Sequence, residues 1–298
     1  MAVSAARLVS LPYVEAALNF VTPATIRARN YNFEPPPGVP RTSAQYAAHR
    51  VPIWDMRPVA ARFSLDREGL SLVERASSVR DFYDEDEIRD TYYAETEDLL
   101  EEVTGAKRVI VFDHTIRSRN TEVVDKVTGE PRQPVLRVHN DYTVNSGPQR
   151  VRDLLPDEAD LLLRWRFSIV NVWRPIRGPL QDSPLAVCDA QSVAPHDLVT
   201  AELVYPDRTG EYYLTRFNPR QRWFYAPQMQ PHEALLIKCF DSADDGRARF
   251  TPHSAFTDPL TPADAVPRES IELRTLVFYG AGEADTATQR SWLENTRR

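Results

Sequence analysis

The sequence predicts a mainly β protein of the α+β class, a sandwich or jelly roll with a partly helical N-terminal cover, and three observations predict it. Beyond residue 105 the chain breaks into short runs rich in Val, Ile, Phe and Tyr, separated by turn residues, as expected for about eight antiparallel strands packed sheet on sheet. Twenty-four Pro against ten Gly favour many short elements with rigid corners over long helices. The 298 residues are 42% hydrophobic and 10% aromatic, enough for one large core, and no repeat or linker divides them. One domain is therefore expected over 1–298. Residues 1–105 form the cover, 106–281 the β core and 282–298 a polar C-terminal helix.

In chain order, residues 35–37 are three prolines and mark an extended cover segment. Residues 51–55 and 63–73 read as short strands, the second folding back across Arg67 and Gly69. Residues 84–103 form the clearest helix. It opens on acids, repeats apolar residues at Ile88, Tyr92, Leu99, Leu100 and Val103, and stops at Gly105. Strands follow at 108–112, 134–144 and 167–173, the last ended by Pro175. Residues 200–205 and 211–217 are expected to pair as a hairpin, 222–225 and 234–240 as a second pair, and 271–279 closes the series. One helical segment, 149–162, interrupts them.

A net charge of −7 and a pI near 5.5 argue against nucleic acid or an anionic membrane as partner. No run of 18 apolar residues suggests a membrane span, and the first twenty residues lack an unbroken apolar core, so no signal peptide is expected. Cys188 and Cys239 stand among apolar neighbours and read as buried thiols in a reducing compartment. The expected location is the cytoplasm and the expected partner a small molecule; the oligomeric state is not encoded in these features.

Chemistry concentrates in residues 134–144, which alternate as a strand does. His139 and Asp141 are i and i+2, so in an extended strand they leave from one face. They supply two thirds of the 2-His-1-carboxylate site of non-heme Fe(II) oxygenases. Alone the pair is weak: 43 acids in 298 residues give six histidines about one such pair by chance. A second His must come from elsewhere, and His49, His114, His196, His232 and His253 are available. His253 stands out because Arg268 and Ser270, again i and i+2, follow it on the closing strand. A guanidinium fork beside a hydroxyl is a receptor for a carboxylate. A 2-oxoacid chelating iron would send its far carboxylate into an apolar barrel, where an unpaired charge is costly.

The order His-x-Asp, His, Arg-x-Ser resembles the Fe(II)/2-oxoglutarate oxygenases. More specifically, His139-Asn140-Asp141 with segments 171–175 (NVWRP), 222–225 (RWFY), 236–238 (LIK), 241–242 (DS), 251–253 (TPH) and 267–274 (PRESIELR) looks like the hydroxylase/desaturase family that includes gibberellin desaturases and the cephamycin 7α-hydroxylase component. The likeness runs from about residue 51 to 279. It implies a double-stranded β-helix (jelly roll/cupin-like). It also implies Fe(II) held by His139, Asp141 and His253, with 2-oxoglutarate and O2 as cosubstrates. The expected reaction is hydroxylation, desaturation or ring formation on a small secondary metabolite. The interval between the two histidines is longer than usual in the wider class, which the hairpins between 176 and 240 account for.

Other candidates are weighed against blander roles. Arg274 shares the face of Arg268 and Ser270 and competes for 2-oxoglutarate or the substrate, with Arg268 preferred. Asn171 is a candidate for bonding the cosubstrate or orienting a metal ligand, with a structural amide as the equal alternative. Arg137 faces with His139 and is a substrate candidate or a rim ion pair. Trp173 and Tyr225 are core aromatics first and pocket walls second. His114 and His232 read as structural and solvated, and His196 beside Asp197 is a poor chelate. Two alternatives stay open: a cupin-like dioxygenase or isomerase using no 2-oxoglutarate, and a non-catalytic jelly-roll binder.

Overall fold

The protein is described from a computed structural model covering residues 10–120 and 132–280; the expected C-terminal helix at 282–298 lies outside the described residues. In chain order the strands are β1 (Tyr13–Val21), β2 (Ala28–Tyr31), β3 (Tyr46–Asp55), β4 (Leu70–Glu74), β5 (Arg108–Ser118), β6 (His139–Asn140), β7 (Phe167–Pro175), β8 (Leu185–Cys188), β9 (Leu198–Val204), β10 (Thr209–Thr215), β11 (Trp223–Tyr225), β12 (Glu233–Asp241), β13 (His253–Ala255) and β14 (Glu269–Phe278). A nine-stranded major sheet runs β1-β3-β11-β8-β13-β6-β10-β9-β2, and a five-stranded minor sheet runs β4-β12-β7-β14-β5.

The two sheets face each other across one apolar cluster. Val187 and Phe224 of the major sheet meet Phe167, Ile169, Trp173, Ile237 and Leu276 of the minor sheet there. The alternate residues of the minor sheet, among them Val170, Val172, Leu236 and Leu273, bury a second cluster on its back, against Leu99 and Leu100. Strands β7 and β12 are buried at every position, which is why they read as continuous apolar runs rather than alternation.

Those two leucines come from the helix Tyr93–Thr104. Its start is the turn Glu85–Glu87, where the Asp84 side chain accepts from the backbone N–H of Asp86 and Glu87. This is the capping expected of an acid at that position. Between them, Ile88–Tyr92 is a π turn, a local widening invisible to a 3.6-residue pattern. Gly105 ends the helix in the left-handed conformation at φ 69°. The expected helix at 149–162 is two, Ser146–Leu154 and Ala159–Leu162; Pro156 between them has no N–H to carry the ladder on. In the first, Gly147 lies against Phe240, whose ring would be 2.7 Å from any added Cβ.

Several expectations are corrected. The sheets are mixed, since β11 runs parallel to β3 and β2 parallel to β9. Strands β11 and β12 do not pair. The first lies between β3 and β8 of the major sheet, the second between β4 and β7 of the minor one. Residues 63–69 are turns, and only β4 follows them. Much of the N-terminal cover is sheet. Strand β1 pairs along its length with β3 and reaches Arg137 and Arg216 through parallel bridges from Asn19 and Val21. The major sheet thereby curls back and encloses a third apolar cluster, including Leu18, Ile53, Val138, Trp223, Tyr225 and Phe256. The β9–β10 hairpin pairs as expected, Val204 opposite Thr209. No helix of the described residues is long and apolar enough to cross a membrane.

Candidate active site

Strand β13 pairs with β6 at a single position, and that position is His253 opposite His139. Directly paired residues share a face with Cβ atoms about 5 Å apart. The two imidazoles thus meet without either chain segment deviating, and their ring centroids are 4.5 Å apart. Strand β6 is only two residues long, so Asp141 lies at a bend just past it rather than within a regular strand. The bend still brings Asp141 Oδ1 to 3.5 Å from His139 Nε2. One donor atom from each of His139, Asp141 and His253 lies within 4.8 Å of the others.

Asn140, between the two ligands, locks this arrangement. Its fully buried amide donates to the carbonyls of Tyr142 and Cys239 at 2.8 and 2.9 Å, and its Oδ1 accepts from Thr251 N–H at 3.0 Å. Thr251 in turn presses on Gly69, whose φ is +80° and whose position has no room for a Cβ, with Thr251 Oγ1 2.1 Å from where it would stand.

The donor set suits a metal. His139 Nδ1–H donates to the Arg137 carbonyl at 2.9 Å, and His253 Nδ1–H to the Thr251 carbonyl at 3.0 Å. A carbonyl only accepts, so both Nδ1 atoms carry the proton and both Nε2 lone pairs are left for a cation. Burial, reinforced by the neighbouring His253, pushes the His139 imidazole down to about 3, so it is neutral at physiological pH. Burial alone would raise the Asp141 carboxyl, but Arg274 and the two imidazoles hold it well below the carboxylate range. Its second oxygen, Oδ2, accepts from Asn171 Nδ2 at 2.9 Å and Arg274 Nε at 3.1 Å. That leaves Oδ1 for a metal. Two imidazoles with free Nε2 atoms and one carboxylate form a facial set for non-heme iron.

The remaining histidines do not join it. His49 stacks on Phe217 at 4.1 Å. His114 bonds Tyr93 Oη at 2.9 Å, and His196 and His232 lie at the surface.

Residues 18–278 match the family model described as "Oxidoreductase/YMDC permease-like domain". A hydroxylase/desaturase of Hormonema carpetanum is 34% identical over 258 residues, covering 80% of this chain and 86% of that one. An Fe(II)/2-oxoglutarate-dependent dioxygenase of Aspergillus novofumigatus is 32% identical over 280 residues, covering 91% and 99%. The chain belongs to the Fe(II)/2-oxoglutarate-dependent dioxygenases. A solved structure of the iron and alpha-ketoglutarate-dependent endoperoxidase NvfI superposes with a TM-score of 0.82 at 31% identity, over 90% of this chain and 99% of that one. The jelly roll is therefore the dioxygenase fold.

The other wall of the dioxygenase site is the inner face of β14 and its neighbours. Register sets it in rows: Arg117, Ser270 and Pro175; then Thr115, Glu272 and Trp173; then Asp113, Arg274 and Asn171. A bulge that skips Phe112 in β5 turns Asp113, Thr115 and Arg117 to this face, a common device beside active sites.

Arg268, immediately before β14, and Arg274, within it, have opposite surroundings. Arg274 is saturated, bonding Asp141, Asp113 Oδ2 at 3.1 Å, Glu272 Oε1 at 2.6 Å and Thr115 Oγ1 at 3.0 Å. Arg268 is buried, with Nε on Ser270 Oγ at 3.0 Å, Nη1 on the Ser183 carbonyl at 2.8 Å and Trp173 under the guanidinium at 4.9 Å. None of these partners is an acid, and burial pulls the guanidinium down to about 9. Ser183 aims that carbonyl from a left-handed conformation, φ 48°, a strained state for a residue with a Cβ.

Among the substrate candidates, Arg137 lies two residues before His139, and its Nε is buried without a partner. Trp173 faces the inter-sheet cluster beside Arg268. Tyr225 is the core aromatic of its first reading and not the pocket wall of its second: it faces the third cluster, packed on Phe256 at 5.3 Å. That is the side of β11 opposite Phe224, which faces the space between the sheets. Three residues went unread in the sequence: Asn140, Ser183 and Arg117. Asn140 had a signal, being the middle of the motif; Ser183 had none.

Proposed function

We propose that this dioxygenase hydroxylates, desaturates or cyclises a small molecule of secondary metabolism, with iron on His139, Asp141 and His253. The observation that carries this is the convergence of those three donor groups beside Arg268, a buried guanidinium whose contacts include no acid. An unpaired buried cation is costly, and the distal carboxylate of 2-oxoglutarate satisfies it, with Ser270 as the second donor. Arg274, already saturated, is assigned instead to holding Asp141, with Asn171 as its co-donor. That leaves Arg268 rather than Arg274 for the cosubstrate.

When bound, Fe(II), 2-oxoglutarate and O2 supply an oxidant strong enough to take hydrogen from an unactivated C–H, with succinate and CO2 released. The protein's own part is geometric. The two Nδ1–H bonds fix the imidazole planes, and the clamp on Asp141 Oδ2 keeps the carboxylate monodentate. Trp173 walls the pocket, and the buried Asn171 Oδ1 and Arg137 Nε, both without partners, offer an acceptor and a donor to bound guests.

We place the enzyme in the cytosol, a reading supported by Cys188 and Cys239, both free and buried, with burial pushing each thiol up. The test is succinate release coupled to O2 uptake in the presence of Fe(II), with candidate small molecules as prime substrates. Anaerobic Fe(II) plus 2-oxoglutarate should give a weak visible charge-transfer band. Absence of both in metal-loaded protein overturns the reading in favour of a jelly-roll binder or a cupin using no 2-oxoglutarate.

A further inference from the structure

The cosubstrate wall contains a strand cation, Arg117 of β5, that the proposed chemistry has not used. Arg117 is the direct register partner of Ser270 across β5 and β14, so the two residues leave from the same face. Ser270 Oγ lies 3.5 Å from the Arg117 carbonyl and accepts from Arg268. Ser270 thus bonds the Arg268 guanidinium and shares a face with the Arg117 side chain, whose guanidinium reaches the Gln133 carbonyl.

Neither guanidinium is neutralised. The hydrogen bond from the Arg117 side chain goes to the Gln133 carbonyl at 3.0 Å, and no carboxylate of the described residues pairs with it or with Arg268. The nearest acid on this face, Glu272, lies one row away and is already bound by Arg274 at 2.6 Å. Burial pulls Arg117 down to about 10 and Arg268 down to about 9; Arg117 lowers Arg268 further by like-charge repulsion, while Glu272 attracts both without pairing with either. A buried guanidinium and a half-buried one on the same face, neither ion-paired with a carboxylate of the described residues, leave charge that an anion between them would compensate.

We propose that Arg117 is a second anchor for the distal carboxylate of 2-oxoglutarate, so that this carboxylate is held by Arg268 and Arg117 on either side of Ser270. This rests on the assignment of the cosubstrate to Arg268 and extends it to β5. Arg117 then selects for a dicarboxylic 2-oxoacid, since a monocarboxylic one leaves both cations unpaired. It is a binding residue for the cosubstrate and has no part in holding the metal.

The test uses the full chain loaded anaerobically with Mn(II), titrated calorimetrically with 2-oxoglutarate and with 2-oxopentanoate, which has the same carbon chain but no distal carboxylate. Arg117→Met is expected to weaken 2-oxoglutarate about 10- to 100-fold, the size of a charge-assisted hydrogen bond, and to leave 2-oxopentanoate unchanged. Arg117→Lys keeps the charge without the fork and is expected to recover only part of the loss. Without ligand, Arg117→Met should melt at or above the wild-type temperature, because repulsion with Arg268 is relieved, while its stabilisation by 2-oxoglutarate shrinks. Arg117→Gln replaces the Met variant should that one fail to fold.

Unchanged 2-oxoglutarate affinity in Arg117→Met, equal losses for both probes, or full recovery by Lys each overturn the proposal. Arg268→Met is the control for the parent assignment. If it weakens 2-oxoglutarate and Arg117→Met does not, only the Arg117 inference fails. If Arg268→Met binds 2-oxoglutarate as wild type does, the cosubstrate pocket is misassigned and both fall.

Discussion

The two walls of the active site are built in contrasting ways. The metal wall uses some of the shortest strands in the protein, β6 with two residues and β13 with three, and one of its ligands lies beyond a strand end. The cosubstrate wall uses β14 and β5, strands of ten and eleven residues whose long pairing is interrupted by a single bulge at Phe112. Short strands contribute few ladder bonds, so the metal ligands are positioned by side-chain clamps: Asn140 across β6, Thr251 and β12, and Arg274 with Asn171 on Asp141. The long strands need no such help, because register alone sets Arg117, Ser270, Glu272 and Arg274 in order. A metal pulls its ligands together once bound, so its wall tolerates irregular backbone; an unbonded organic anion needs a rigid receptor.

Removing a metal ligand should break the first wall outright. His139→Ala, Asp141→Ala or His253→Ala is expected to abolish Fe(II) binding and succinate formation while circular dichroism stays native. A variant that still forms succinate at wild-type rate would remove that residue from the metal set.

Arg274→Met couples the walls and comes next. It leaves Glu272 unpaired inside the protein, at a cost of about 3–5 kcal/mol in denaturant unfolding. It also removes one of the two donors to Asp141 Oδ2, leaving Asn171 alone, and lowers metal affinity roughly 10- to 100-fold. The ratio of 2-oxoglutarate to 2-oxopentanoate affinity should not move. A collapse of that ratio would make Arg274 the cosubstrate anchor.

Arg268→Met should do the reverse, leaving metal affinity intact and raising the 2-oxoglutarate requirement by about 1.5–3 kcal/mol in binding. Titrations of each against the Mn(II)-loaded protein separate the two.

A smaller effect concerns pH in chelator-treated protein. The unfolded chain protonates His139 near the ordinary value of 6.5, while the folded chain resists protonation until about 3. The unfolded state therefore binds more protons in that window, and stability falls as the pH drops through it, by up to about 1.4 kcal/mol per unit. His139→Gln should flatten that slope in urea melts run at several pH values. Smallest of all, Tyr225→Phe, on the far side of β11, should leave activity and cosubstrate affinity within twofold of wild type.

Much of the site was legible locally. The i, i+2 pairs His139/Asp141 and Arg268/Ser270 each come together in the folded protein, because local backbone geometry keeps such residues near each other even where Asp141 lies just past β6 and Arg268 just before β14. The apolar run of β7, the helix capped by Asp84 and the β9–β10 hairpin were legible for the same reason. Tyr225 was not, since Trp223, Phe224 and Tyr225 are all apolar and both faces of β11 are buried. Parity then says which residues go together but not which side is the site. Nor could composition separate Arg268 from Arg274. Their difference is which acids lie nearby, and Asp113 and Asp141 come from other strands.

By itself, the sequence determined the elements, the same-face pairs and the residue types a facial iron site requires, because these follow from local backbone geometry and side-chain chemistry. Tertiary structure alone decided that His253 lies opposite His139 and that one arginine is saturated while two others stand unpaired. It also decided that an N-terminal strand closes the major sheet. Those outcomes depend on register between segments distant in sequence, and register is settled by packing across the whole fold rather than by any single stretch of it.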